Sequence, residues 1–144
     1  MISAPDLKVT IPELLIIPDL TFSAVEAQNA MEHCVFLSQI RSQSGKPLVI
    51  SKNSGIRPKW FEKMKGRSGT SEHSTYNIPG RGAVDIVYES YQFDLILHSS
   101  FYTRICYYTS NGFYHCDRKP TKGNRLYFEC DSLTSDWEFK KILQ

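Results

Sequence analysis

Three residues of metal-ligand type stand in or beside segments of strong apolar character. His73 lies in a long Gly-, Ser-, Lys- and Arg-rich stretch, Asp85 interrupts Ala83-Val84-Asp85-Ile86-Val87, and His115 sits inside Phe113-Tyr114-His115-Cys116-Asp117. An isolated ionised carboxylate in an apolar strand is costly, and a bound cation is one standard way to compensate it. Two imidazoles and one carboxylate suit Zn²⁺, with a fourth position open for water. Each residue alone has a plainer explanation. A lone histidine in a strand is more often a hydrogen-bonded core residue, and Asp85 could cap a turn or pair with Arg81 or Arg104. Spacing by itself does not bring the three together.

The elements that must position them are legible in outline. Residues 1–20 hold Pro5, Pro12 and Pro18 between short apolar runs, which predicts an extended arm with a strand near Leu14–Ile17. Ser23 and Glu26 form a capping box, and Ala27, Ala30, Met31, Cys34 and Leu37 follow at helical spacing. Gly45 and Pro47 should end that helix near Ser44. Leu48-Val49-Ile50 predicts a short strand. Residues 53–82 show little periodicity and predict a long loop region with a short helix around Trp60–Lys65; such stretches inside a compact domain are usually functional. Ala83–Val87 predicts a buried strand and Tyr88–Ser100 a helix. Arg104–Tyr108 and Phe113–Asp117 flank Thr109-Ser110-Asn111-Gly112, a hairpin signal. Arg125–Cys130 predicts a last strand and Trp137–Leu143 a closing helix. The class is α+β: one main N-terminal helix packed on a small, mainly antiparallel sheet, with an arm over 1–20 and one domain over 21–144.

The bulk composition narrows the function. A chain of 144 residues with 41% hydrophobic and 22% charged residues can bury a core without staples. A net charge of +2 argues against a strongly basic nucleic-acid binder. A basic cluster of Lys59, Lys63, Lys65 and Arg67 beside Trp60 and Phe61 keeps single-stranded nucleic acid as a third alternative. Cys34, Cys106, Cys116 and Cys130 form no CxxC pair and read as buried thiols, with a Cys116–Cys130 or Cys106–Cys116 disulfide as the oxidised alternative. Leu14–Ile17 is too short for a membrane span, and no signal-peptide pattern precedes it.

Four segments in order carry a resemblance. Ser54-Gly55-Ile56-Arg57, then Ser71-Glu72-His73, then Gly82-Ala83-Val84-Asp85-Ile86, then Asn111 through Asp117 are similar to the zinc D-Ala-D-Ala carboxypeptidases of the hedgehog/DD-peptidase fold. The resemblance covers roughly residues 21–130. It implies that His73, Asp85 and His115 are the Zn²⁺ ligands. It implies that Arg57 faces the substrate, holding a terminal carboxylate or a developing oxyanion, and that Ser71 positions the His73 loop. Asp117, on the same strand face as His115, would orient a ligand or serve the chemistry directly; otherwise it pairs at the surface with Lys119 or Arg118. The chain departs from the family's pattern in the long Ser74–Arg81 gap, in Gly82 directly preceding Ala83, and in the absence of Glu or His over Thr109–Gly112. The general base is therefore sought among Asp117, Glu72, Glu89 and His98. The implied function is zinc-dependent hydrolysis of peptidoglycan stem peptides or cross-bridges by a monomer. It would be made in the cytoplasm and act at the cell wall, as in phage lysis or entry. The alternative is a non-catalytic wall- or protein-binding module on the same fold.

Overall fold

The computed structural model describes residues 8–15, 23–51, 55–58, 64, 71–133 and 135–143. Of the expected short helix around Trp60–Lys65 only Met64, which is helical, is described; Ser54 and the basic cluster at 59, 63, 65 and 67 lie outside the described residues. So do Ile16 and Ile17 of the expected first strand.

Where an extended arm is expected, residues Ile11–Leu14 form one helical turn, α1. Its start is set locally. Pro12 suits a first turn, where its missing N–H costs nothing, and Glu13 Oε1 accepts from the Thr10 backbone N–H at 3.0 Å. Val9 and Leu14 are fully buried against the rest of the core. Helix α2 (Ala24–Ser44) begins and ends at the expected signals. Ser23 Oγ accepts from the Glu26 N–H, Glu26 Oε1 accepts from the Ser23 N–H, and Gly45 takes the left-handed C-cap conformation.

Five strands follow: β1 (Ala83–Val87), β2 (Arg104–Tyr108), β3 (Phe113–Asp117), β4 (Leu126–Cys130) and β5 (Glu138–Ile142), with α3 (Ser90–Leu97) between β1 and β2. The sheet order is β1-β3-β2-β4-β5. All neighbours pair antiparallel except β2 and β4, which run parallel. Leu48–Ile50 contributes a bridge, Ile50 to Ile86, rather than a full strand. The expected closing helix over Trp137–Leu143 is instead the edge strand β5. Every β5 residue is exposed, so no buried face imposes an alternating pattern on the sequence.

The period of two along each strand divides the sheet into two faces. Val84, Ile86, Ile105, Tyr114, Cys116 and Tyr127 enter a single buried cluster with Ala30, Cys34 and Leu37 of α2 and Phe93 and Ile96 of α3. Their strand neighbours, namely Asp85, Arg104, Cys106, Tyr108, His115 and Asp117, take the opposite face. The register places Asp85 beside His115, and Arg104 beside Asp117. The polar residues are thus collected by sheet geometry alone, and the core needs none of them. All four cysteines are free and buried.

Candidate metal centre

His73 is held by a turn. Ser71 caps the 3₁₀ segment Glu72–Ser74, its Oγ accepting from the His73 N–H at 3.2 Å. The His73 carbonyl accepts from the Arg57 N–H at 2.9 Å. His73 Nδ1 lies 2.9 Å from the Gly55 carbonyl, which can only accept. Nδ1 therefore carries a proton, which leaves Nε2, 3.3 Å from Asp85 Oδ1, as the nitrogen that can face a cation.

Asp85 and His115 face each other across β1 and β3, with His115 Nδ1 2.9 Å from the same Oδ1. The other imidazole nitrogen, Nε2, lies 2.8 Å from Asp117 Oδ2. One donor atom from each of His73, Asp85 and His115 falls within 4.8 Å of the others. Asp117 is fully buried and locked from behind. Arg104 Nε and Nη2 donate to its carboxylate at 2.6–3.1 Å, and the Lys119 N–H donates at 3.0 Å.

The electrostatics follow from this crowding. Burial opposes a charge on His115, but the Asp117 and Asp85 carboxylates outweigh it and raise the imidazole to about 9. Burial alone would raise Asp85, yet His73 and His115 hold it well below the usual carboxylate range. For Asp117, too, burial acts upward and is overridden by His115 and Arg104. When His115 is neutral, an Nε2–H donated to Asp117 leaves the Nδ1 lone pair facing Asp85. That is the carboxylate–histidine arrangement that fixes the tautomer of a metal ligand. Two imidazole nitrogens and a carboxylate oxygen at this separation fit a borderline-soft divalent cation.

The three donors open onto a cleft of about 340 Å³ whose lining includes Arg57, Ser71, Tyr108, Lys119 and Trp137. Arg57 Nη2 donates to Ser71 Oγ at 3.4 Å. The structure therefore gathers Arg57, Ser71, His73, Asp85 and His115 at one opening and places Asp117 directly behind His115. The other carboxylates and imidazoles considered as a base divide clearly. Glu72 lines the cleft but is gripped by Arg81, whose Nε and Nη2 donate at 2.8–3.1 Å. Glu89 caps α3 and pairs with Lys46, and exposed His98 bonds Asp94 at the helix end; neither lines the cleft. The pairings weighed for Asp85 with Arg81 or Arg104 do not form, since those guanidinium groups hold Glu72 and Asp117.

The long Ser74–Arg81 segment docks on α2. Buried Asn29 donates to the Tyr76 and Ile78 carbonyls at 2.8 and 2.6 Å and accepts from the Gly80 N–H at 3.0 Å. This clamp lets a longer connection deliver His73 and Asp85 to one place. Tyr108 and Trp137 were not singled out from sequence. The alternation Arg104, Cys106, Tyr108 puts Tyr108 on the polar face, but nothing local marks Trp137. Its indole N–H donates to the Tyr108 hydroxyl at 2.9 Å, and its ring centroid lies 5.2 Å from that of His115.

Among the described residues no helix is long and apolar enough to cross a membrane. Compared with known proteins, the chain matches one family model, described as Peptidase M15, over residues 11–117. No curated protein and no solved structure matches significantly.

Proposed function

Because the chain belongs to the peptidase M15 family, whose members are metal-dependent peptidases, we propose that it is a zinc metallopeptidase with His73, Asp85 and His115 as the metal ligands. The observation that carries this reading is the convergence of one donor atom from each of these residues within 4.8 Å at the mouth of a cleft. A zinc ion held by these three residues would supply Lewis acidity, activating water near neutral pH and polarising the scissile carbonyl.

The chain's own groups supply the rest. The Gly55 carbonyl fixes the His73 tautomer, and Asp117 fixes that of His115. Arg57, braced by Ser71, binds the substrate's terminal carboxylate or the oxyanion formed as water adds to the carbonyl. Asp117 acts through His115, since its carboxylate is enclosed and engaged by Arg104 and Lys119. The motif order resembling D-Ala-D-Ala carboxypeptidases supports a peptidoglycan stem peptide or cross-bridge as substrate. On this reading the chain acts at the cell wall as a monomer, in the manner of a phage lysis or entry protein.

The test has two parts. Zinc is measured in the purified protein and in His73→Ala, Asp85→Ala and His115→Ala, and each substitution should abolish stoichiometric binding. Purified sacculi are then incubated with the zinc-loaded protein, and released amino acids and peptides are identified. Zinc retained in all three variants would refute the site. A metal-bearing binding module is the second reading. It is favoured by the clamping of Glu72 by Arg81, which ties up a cleft carboxylate suited to shuttle protons. Zinc binding with intact sacculi would establish it.

A further inference from the structure

We propose that the Tyr108 hydroxyl is a further catalytic group, donating a hydrogen bond to the carbonyl oxygen of the scissile bond as that oxygen gains charge, and that Trp137 is its positioning residue. The inference rests on the hydrolase reading above.

Tyr108 stands on the polar sheet face two positions from Cys106, the residue that pairs with His115, and it lines the same cleft as the three metal donors. The direction of its hydrogen bonding is settled by chemistry. An indole N–H can only donate, so the contact from Trp137 Nε1 makes the Tyr108 oxygen an acceptor. The phenol's own proton is left without an acceptor among the described residues, at the edge of an open cleft. Burial pushes the phenol up to about 12, so it stays protonated across neutral pH and can donate without transferring its proton. Trp137 is itself fixed. Its ring packs on His115 and on Phe128, and the Arg104 guanidinium lies 4.9 Å from its centroid.

As water adds, a carbon–oxygen bond forms and the carbonyl π electrons move onto oxygen. Tyr108 meets that charge with a hydrogen bond, and no proton leaves the phenol. Trp137 lies beyond residue 117, so this donor is completed by a part of the chain that the family match does not include.

The test is Tyr108→Phe in the zinc-loaded full chain, with zinc content and melting temperature as controls. The expected result is a kcat loss on the order of 10²-fold with KM nearly unchanged, as for loss of one oxyanion donor. Affinity for a phosphinate dipeptide, a tetrahedral anion, should fall by a similar factor by calorimetry, while affinity for the product peptide holds. Trp137→Phe should give a smaller loss in kcat. The double variant should fall no further than Tyr108→Phe, because the two act as a unit. Unchanged kcat and phosphinate affinity in Tyr108→Phe would overturn this inference alone. A wild-type chain that binds zinc but cleaves nothing would overturn it together with the hydrolase reading.

Discussion

Replacing Asp117 by Asn keeps the shape of the group behind His115 and removes its charge. The wild-type carboxylate accepts five contacts, which divide between its oxygens. Oδ2 takes His115 Nε2 at 2.8 Å and Arg104 Nη2 and Nε at 2.6 and 3.1 Å; Oδ1 takes Arg104 Nε and the Lys119 N–H, both at 3.0 Å. An amide has only one oxygen. With that oxygen toward His115, its NH₂ meets the Lys119 N–H; with the oxygen reversed, NH₂ meets His115 and Arg104. Either choice sets donor against donor. Breaking a buried ion pair from one side costs about 3–5 kcal/mol. Arg104 keeps a side-chain exposure of 20%, so some hydration of the stranded guanidinium places the expected loss near the lower end, about 3 kcal/mol. Zinc affinity should fall about 10–100-fold, the usual cost of losing an outer-shell partner of a ligating histidine. In the metal-free protein the His115 imidazole should titrate well below its wild-type value of about 9. Urea unfolding, zinc competition with a chromophoric chelator and NMR titration of the His115 ring read the three effects separately. A variant whose zinc affinity and His115 titration both match wild type would refute the account of Asp117 as the orienting group.

Three further outcomes follow from the same geometry. His33 is fully buried between Tyr102 and the Arg81 carbonyl, and burial lowers it from 6.5 to about 4. The unfolded chain therefore binds more protons between those values, so the His33 contribution should be complete above pH 6.5 and stability should fall by about 3 kcal/mol on acidification from pH 6.5 to pH 4; urea midpoints that stay flat across the window would contradict this. His115 works the other way, its contribution being present below pH 6.5 and lost as pH rises through about 9. Gly82→Ala would set a Cβ 2.8 Å from His33 Nε2 and 3.0 Å from the Tyr76 ring at a φ of +108°, and thermal unfolding should show a loss of about 2–3 kcal/mol; an unshifted melting temperature would mean the loop yields freely. Tyr114→Phe removes a buried hydroxyl with no partner among the described residues, so stability should hold or rise by up to about 1 kcal/mol, and a clear loss on denaturation would reveal a partner for it.

What the sequence disclosed depended on how locally each feature is encoded. Helix α2 was legible end to end, because Ser23, Glu26 and Gly45 act within one turn of their own backbone. The β2–β3 pair was legible from apolar runs around a turn, and Gly112 does take a positive φ of 71°. Strand β5 was not. Glu138-Phe139-Lys140-Lys141-Ile142 is exposed throughout, so tertiary pairing with β4 sets its conformation without leaving a hydrophobic period. In the site, His73, Asp85 and His115 stood out because their side-chain chemistry is conspicuous in apolar or glycine-rich surroundings. Asp117 was placed on the correct face by the strand period, but its partner Arg104 comes from another strand, which spacing along β3 cannot report. Trp137 escaped notice for the same reason: an aromatic residue looks like core until the fold shows it beside His115.

The parallel seating of β4 against β2 matters to anyone shortening the chain. A fragment ending at Asp117, where the family match stops, would lose both β4 and β5. It would also lose Arg125, which donates to the Ile96, Leu97 and Tyr102 carbonyls. Strand β2 would then present an unpaired row of amides and carbonyls along one flank, a template onto which another fragment can add. Such a fragment should self-associate through that flank rather than behave as a minimal enzyme.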